Sequence, residues 1–236
     1  MMTLLTMADL GVTASYSKTA RVWDGAQGGA LWHSRRCGCF TGSMASLIIK
    51  ADGNPAKTKS LDKYLNRIVG DLVSGTVDPD ISNCSAGGAA ERGNRLEPLA
   101  RDWYTKDKCG FPVRETGFIY QSPELVCGIS PDGVCADRLI EIKCLNRSNH
   151  IGAIRYCNDK NKPPPEFGPQ IQMNMWTTGM SKLDLIFFTP SQSLPCKILT
   201  VEADTVAHKN LDKLIPQFTE EAASIAEKIK KDGDFI

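Results

Sequence analysis

The stretch SPDGVCADRLIEIKC, from Ser130 to Cys144, sets two carboxylates and one ammonium at a spacing that could do chemistry. Asp132 stands on a Pro-Asp-Gly turn, and eight residues separate it from Glu141-Ile142-Lys143. Residues two apart on a strand face the same side, so Glu141 and Lys143 project together. Ile142 then turns into the core and leaves its carbonyl between them. Two carboxylates and a carbonyl form a hard-oxygen donor set, which suits Mg²⁺ or Mn²⁺ and not zinc. Mg²⁺ needs only one or two carboxylates and completes its shell with water and substrate phosphate. A neighbouring lysine can orient or help deprotonate an attacking water, and can neutralise charge on a pentavalent phosphorus. The plainer reading is a hairpin with charges on a solvated face. The apolar neighbours Leu139, Ile140 and Ile142 argue for a buried strand, where a Glu and a Lys without partners would be costly.

The elements that must position these residues follow from periodicity. Residues 1–30 are Gly-, Ala- and Ser-rich with little pattern and read as an irregular arm; residues 31–236 read as a single domain. A helix is expected to open within 43–51, capped by Thr41 or Ser43. Leu61, Tyr64, Leu65, Ile68 and Leu72 fall at helical spacing. Residues 82–90 read as a flexible joint. A helix then runs to Gly110, with Pro98 placed to kink or break it near Glu97. From 111 the period changes, and 111–121, 125–130, 133–137 and 139–145 are strand-like. Short helices are expected around 147–159 and 169–180, strands at 182–190 and 197–204, and an amphipathic helix from about Thr205 to Lys231. The sum is an α/β domain with a central mixed β-sheet flanked by helices.

Composition narrows the function classes. At 42% hydrophobic and 23% charged, the chain can build a sizeable core and is not disordered. A net charge of +1 excludes a uniformly basic DNA-coating protein but not an enzyme with a local basic patch. The nine cysteines are scattered, odd in number and without a CxxC pair, so they read as reduced thiols, and no signal peptide or membrane span is apparent. A cytoplasmic location is the expectation. Cys37-Gly-Cys39 beside His33 lacks the spacing and the second pair of a zinc site.

The PD-(x)8-EIK spacing resembles the PD-(D/E)xK nuclease motif, and further blocks resemble one branch of it, the lambda exonuclease family of YqaJ-type viral recombinases. LWHSRRCGCFTGS (31–43), RGNRLEPLAR (92–101), SPDG, EIKC and PQIQMNMWTTG (169–179) follow in that family's order. The resemblance implies a restriction-endonuclease-like core. It implies that Asp132, Glu141 and the Ile142 carbonyl bind metal, that Glu97 completes the metal site, and that Lys143 is the catalytic lysine. Gln170 matches the glutamine of the helix packed over the site, whereas Gln172 reads as a helix-surface residue. Arg36, Ser43 and Ser130 match positions that form a pocket for a 5′-terminal phosphate. A basic residue after the EIKC strand helps that pocket in the family; position 149 is Asn here, which makes Arg147 the nearest candidate. Pro98 directly after Glu97 is a second departure.

The implied function is a 5′→3′ exonuclease. It would use Mg²⁺, with Mn²⁺ as a substitute and two ions per site. It would degrade one strand of linear double-stranded DNA to mononucleotides and leave a 3′ overhang for recombination. The implied partners are DNA ends, two further copies of the chain in a homotrimeric ring, and a single-strand annealing protein. Competing readings are a DNA endonuclease of the same fold and a DNA-end-binding module with a decayed nuclease. The phosphate-pocket block argues against the first, and the intact Asp132, Glu141 and Lys143 argue against the second. An iron–sulfur nuclease would need a tight C-terminal cysteine cluster, and Cys196 is the only cysteine after Cys157.

Overall fold

The computed structural model describes residues 4–56, 59–78, 88–124 and 126–233. The expected joint at 82–90 lies, as far as residue 87, outside the described residues.

Eight short strands form two four-stranded mixed sheets. The first contains β1 (Arg21–Trp23), β2 (Phe40–Thr41), β3 (Phe118–Tyr120) and β4 (Cys127–Ile129), in the order β1-β3-β4-β2. The second contains β5 (Gly133–Val134), β6 (Leu139–Lys143), β7 (Lys182–Phe187) and β8 (Lys197–Glu202), in sequence order. The α/β architecture is the expected one, but the strands do not lie in one continuous ladder. Pro131 has no N–H to give to a ladder, so β4 ends at Ile129 and a new hairpin starts at Gly133. The segment that leads into β3 is tied to the second sheet by a two-bond bridge between Arg114 and Val134, at 2.9 and 2.8 Å.

The order of β6 and β7 positions the chemistry. They pair in parallel, Glu141 opposite Leu185 and Lys143 opposite Phe187. Parallel strands need a long crossover and are covered on both faces. Here the crossover holds α4 (Arg147–Lys160) and α5 (Gly168–Thr178). Asn146 caps α4 by accepting the Asn149 N–H at 2.9 Å, and left-handed Asn161 (φ 48°) ends it. Leu139, Ile140 and Ile142 of β6 are all buried, as the apolar run requires.

The other helices pack around this centre. α1 (Ala30–Arg35) leads into β2. α2 (Lys59–Ser74) buries Tyr64, Leu65, Ile68 and Val69 in one cluster with Leu211, Leu214 and Ile215 of α6 (Thr205–Asp232). Each such aliphatic side chain stabilises the fold by roughly 1.5–3 kcal/mol. α3 (Ala89–Tyr104) lays Leu96, Ala100 and Tyr104 on Ile140, Ile142 and Cys144. It runs continuously through Pro98, whose missing N–H leaves one carbonyl without its helical donor, and ends after a π-turn (Thr105–Cys109) at left-handed Gly110. The helix expected at 43–51 is a shorter 3-10 segment, Gly42–Leu47. Thr41 does not cap it with its side chain, because that hydroxyl faces Ser43 and Tyr64 instead.

Residues 4–30 depart most from expectation. Their backbone is mostly irregular, but they are packed on the rest of the chain: they supply β1, and Met7, Val12, Ala20, Val22 and Trp23 are buried. Their partners are remote in sequence. Thr13 N–H donates to Ala136 O at 2.6 Å and Ser17 N–H to Thr178 O at 2.7 Å. The latter contact runs across Gly179 (φ 71°), where a Cβ would lie 2.4 Å from the Ser17 nitrogen. Behind the second sheet, buried Asp184 accepts hydrogen bonds from Tyr104 Oη, from Thr200 Oγ1 at 2.6 Å and from Arg138 Nη1 at 3.1 Å. This network ties α3 to β7 and β8.

Candidate active site

The residues on β6 and the turn before it meet at one place. Glu141 is 2% exposed. Its Oε1 accepts from Lys143 Nζ at 2.7 Å and from Gln170 Nε2 at 2.7 Å, and its Oε2 accepts from Asn174 Nδ2 at 3.1 Å. Lys143 Nζ also donates to Gln170 Oε1 at 3.2 Å and lies 5.3 Å above the Phe167 ring. Gln170 and Asn174 are four apart on α5 and therefore share a face. Asp132 accepts the Ile142 N–H at 2.6 Å, which draws the turn against the strand and leaves the Ile142 carbonyl as an oxygen of that edge.

α3 closes the other wall. Arg92 Nε donates to Cys144 O at 3.1 Å, and Arg101 Nη1 to Asp132 O at 3.0 Å, with Glu115 holding Arg101 at 2.8 Å. These two arginines staple the helix to both ends of the PDG-to-EIK segment. Glu97, between them, lines a cleft of about 350 Å³ together with Arg92, Asn94, Ile142, Lys143 and Asn146. The electrostatics show the crowding. Burial, and then the charges of Glu141 and Glu97, push Asp132 well above the usual carboxylate range. Glu97 is pushed up by burial and by Glu141, against the pull of Arg101 and Lys143. Burial lowers the Lys143 ammonium, but Glu141, Asp132 and Glu97 outweigh it and the net shift is upward.

Three carboxylates thus face one ammonium in a partly buried cleft, with Arg101 acting on Glu97 alone among them, an excess of negative charge that a divalent cation could offset. Among the described residues, no three His, Cys, Asp or Glu side chains converge tightly enough to hold an ion by themselves. Lys143, Gln170 and Asn174 bind the Glu141 oxygens, and Ile142 binds one of Asp132. One or two carboxylates with a carbonyl and water still match the donor demand of Mg²⁺.

The second group of predicted residues lies against the first sheet. Arg36, just after α1, places its guanidinium 4.0 Å over the Trp32 ring. Trp32 Nε1 donates to Ser130 Oγ at 2.9 Å, and Ser130 donates to Gly117 O at 2.7 Å. Arg36, Trp32 and Ser130 are therefore in contact, and Ser130 is two residues from Asp132. The Ser130 hydroxyl has its proton committed to Gly117, so it supports Trp32 rather than standing free as a donor. Arg36, Trp32, His33, Thr41, Arg67 and Asp71 line a cavity of about 140 Å³. Ser43 is exposed beside it, its hydroxyl 3.5 Å from that of Thr41. Arg147 is exposed at the start of α4 and lines neither this cavity nor the cleft at Glu97.

The family model for the YqaJ-like viral recombinase domain matches residues 31–181. That span holds every one of these side chains. The chain belongs to the YqaJ-like viral recombinase family. Solved structures agree. It is similar to an alkaline exonuclease from Laribacter hongkongensis (LHK-Exo), at 28% identity and a TM-score of 0.71, over 86% of this chain and 97% of that one. The same holds for LHK-Exo in complex with dAMP. A phage related exonuclease from Haemophilus somnus 129PT shares the fold, at 12% identity and a TM-score of 0.58, over 81% of this chain and 96% of that one. No curated protein sequence matches significantly.

Within this YqaJ-like domain, sequence reasoning missed three kinds of residue. Asn174 holds the second Glu141 oxygen, and its spacing of four from Gln170 was the available signal. Arg92 and Arg101 brace the PDG-to-EIK segment from α3; they stand at the two ends of the RGNRLEPLAR block, in which only Glu97 was singled out. Gln172, read as a surface residue, is half-buried and clamps the start of α6, donating to Glu202 O at 3.1 Å and accepting the Asp204 N–H at 2.8 Å. Gly42 is a further element of the site, since a Cβ there would stand 2.6 Å from Asn174 Oδ1. Gly42→Ala should push Asn174 off Glu141 and lower the catalytic rate about as much as Asn174→Ala, roughly tenfold or more for a lost hydrogen bond to a charged group. Paired turnover measurements check this, with the double variant no worse than the worse single. Full activity in Gly42→Ala would show that Asn174 is not needed where it stands.

Proposed function

We propose that this protein is a metal-dependent DNA exonuclease that degrades one strand of linear double-stranded DNA from the 5′ end to mononucleotides, leaving a 3′ overhang for recombination. One observation carries the reading. The carboxylate–lysine cleft and the arginine-lined cavity are joined by a single turn, Ser130-Pro131-Asp132, with Trp32 bonded to its first residue. A cavity for an end group beside a hydrolytic cleft suits an enzyme that starts at ends. The likeness to exonuclease structures supports it.

Asp132, Glu141 and the Ile142 carbonyl, with Glu97 beside them, would hold Mg²⁺, or Mn²⁺ in its place, and the reading includes two ions per site. When bound, such ions stabilise charge on the phosphate and make water a better nucleophile. The protein's own groups do the rest. Lys143 keeps its proton among the carboxylates and faces the cleft as an ammonium, able to neutralise charge on the scissile phosphate. Gln170 and Asn174 fix the Glu141 carboxylate. Arg36 offers the terminal phosphomonoester two parallel hydrogen bonds from a guanidinium, with Ser43 at the rim.

Asp132→Ala, Glu141→Ala and Lys143→Ala should each lower cleavage by several orders of magnitude, with folding verified by thermal melting. With Ca²⁺ in place of Mg²⁺, a gel shift should show DNA bound but uncut, because the looser coordination of Ca²⁺ positions water poorly. Near-normal turnover of Lys143→Ala would refute the assignment.

On end-labelled blunt duplex, 5′-phosphorylated ends should be degraded faster than 5′-hydroxyl ends. Arg36→Ala should remove most of that preference, a loss of about 1.5–3 kcal/mol. Equal rates on both ends, or products that begin at the 3′ end, would favour an endonuclease or another polarity.

The reading also includes a ring of three copies around the duplex and a single-strand annealing protein acting on the overhang. Sedimentation should give one species of three chain masses. A stable monomer that still degrades long duplex processively would remove the ring.

A further inference from the structure

We propose that Arg67, on α2, is a second guanidinium of the cavity that Arg36 lines, and that the two together clamp the terminal phosphomonoester of a 5′ end. The inference deepens the exonuclease reading and rests on it. Arg67 lies in none of the sequence blocks that resemble the nuclease motifs; the fold brings it to the cavity from a different helix.

Two observations carry the proposal. First, Arg67 lines the cavity, and its charge acts on Asp71 without the two forming an ion pair within 4.0 Å. Its guanidinium lies 4.7 Å over the Tyr64 ring, and its buried Nε has no hydrogen-bond partner. A buried N–H without an acceptor is costly and calls for an occupant. Arg36 is held in the same manner, on the face of Trp32. Among the described residues, neither arginine forms an ion pair within 4.0 Å. Aromatic faces fix the planes of both guanidiniums and leave their N–H edges for another acceptor.

Second, the charge balance of the cavity is positive only while both arginines stand. Among the described residues that line it, Asp71 is the one carboxylate. Its Oδ2 accepts the Gly38 N–H at 3.1 Å; burial and the nearby Asp78 push its carboxyl up, while the Gly38 bond and Arg67 pull it down. Two guanidiniums against one carboxylate favour an anion; one against one does not. The strain of the like pair is visible on Arg36, lowered to about 10 by burial, with Arg67 acting in the same direction against Tyr64. A terminal phosphomonoester carries close to two negative charges near neutral pH, whereas an internal phosphodiester carries one. A cavity of about 140 Å³ with two cations therefore selects an end group over the middle of a strand.

The competing account is structural: Arg67 and Asp71 are four apart on α2 and could serve each other as helix-face charges. That account predicts lost stability and unchanged end selectivity. The experiment measures initial rates on 5′-phosphate and 5′-hydroxyl blunt duplexes for the wild type, Arg67→Ala, Arg67→Met, Arg67→Lys, Arg36→Ala and the Arg36→Ala, Arg67→Ala double variant, each checked by thermal melting. Arg67→Met keeps an apolar stem on Tyr64 and guards against misfolding. The expected result is a phosphate preference in the wild type that falls about tenfold or more in Arg67→Ala and Arg67→Met, with Arg67→Lys recovering part of it. The effects of the Arg36 and Arg67 substitutions should be less than additive, because either one cancels the net charge. A wild-type preference that survives in Arg67→Met and disappears in Arg36→Ala would overturn this inference and leave the exonuclease reading standing. A wild type without any preference would instead remove the reading on which it rests.

Discussion

Glu141 is a carboxylate buried on β6, and the surrounding structure is organised by what it takes to keep it there. An isolated charge in such a place costs several kcal/mol. The chain answers with three donors from two elements: Lys143 from the same strand face, and Gln170 and Asn174 from one face of α5. That helix can reach β6 because it lies in the crossover of a parallel pair, β6 with β7. Its own ends are fixed in turn: Gly179 lets the N-terminal segment cross its C-terminus, and Gly42 leaves room for Asn174. The N-terminal segment, the 3-10 turn and the crossover are thus conditions for one buried carboxylate.

The same logic applies to the opposite wall. Asp132 and Glu97 add negative charge to a place that already has one carboxylate, and both are pushed upward for it. Such an arrangement persists only if the backbone over-determines it. Arg92 and Arg101 do so by bonding main-chain carbonyls rather than the carboxylates themselves. They lend rigidity through the main chain, and Arg101 also offsets part of the charge on Glu97. The distinction separates the arginines of α3 from Lys143, which is paired directly.

How much of this was legible in the sequence depended on the range of the interaction. β6 announced itself through apolar neighbours and the period-two placement of Glu141 and Lys143, and the helices around Tyr64, Glu97 and Gln170 through spacing and terminal glycine. These are local signals. Residues 4–30 gave none, because β1 is three residues long and pairs with β3, while Thr13 and Ser17 bond to Ala136 and Thr178, contacts that no periodicity encodes. The break into two sheets is equally hard to see locally: 125–130 and 133–137 both have strand composition, and only the missing N–H of Pro131 between them interrupts the pairing. Of the site, Asp132, Glu141, Lys143 and Gln170 were legible and do meet. Arg147 was chosen by proximity in sequence to a position that holds Asn149, and it stands apart from both cavities. Arg67 escaped notice because an arginine on an amphipathic helix looks like any solvated charge until the opposite wall of its cavity is known.

The way remote segments of the chain are clasped has a consequence for its synthesis. β1 pairs with β3, so Val22 emerges from the ribosome long before Ile119 exists to receive it. α2 waits longer still, since Tyr64, Leu65 and Ile68 are covered by α6, far further along the chain. Contacts between residues so distant form late and slowly, and apolar segments left open meanwhile are prone to pair with the wrong partner. Glu141 is in the same position on a smaller scale: β6 is made before α5, so the strand that carries the carboxylate emerges before the two amides that keep it buried.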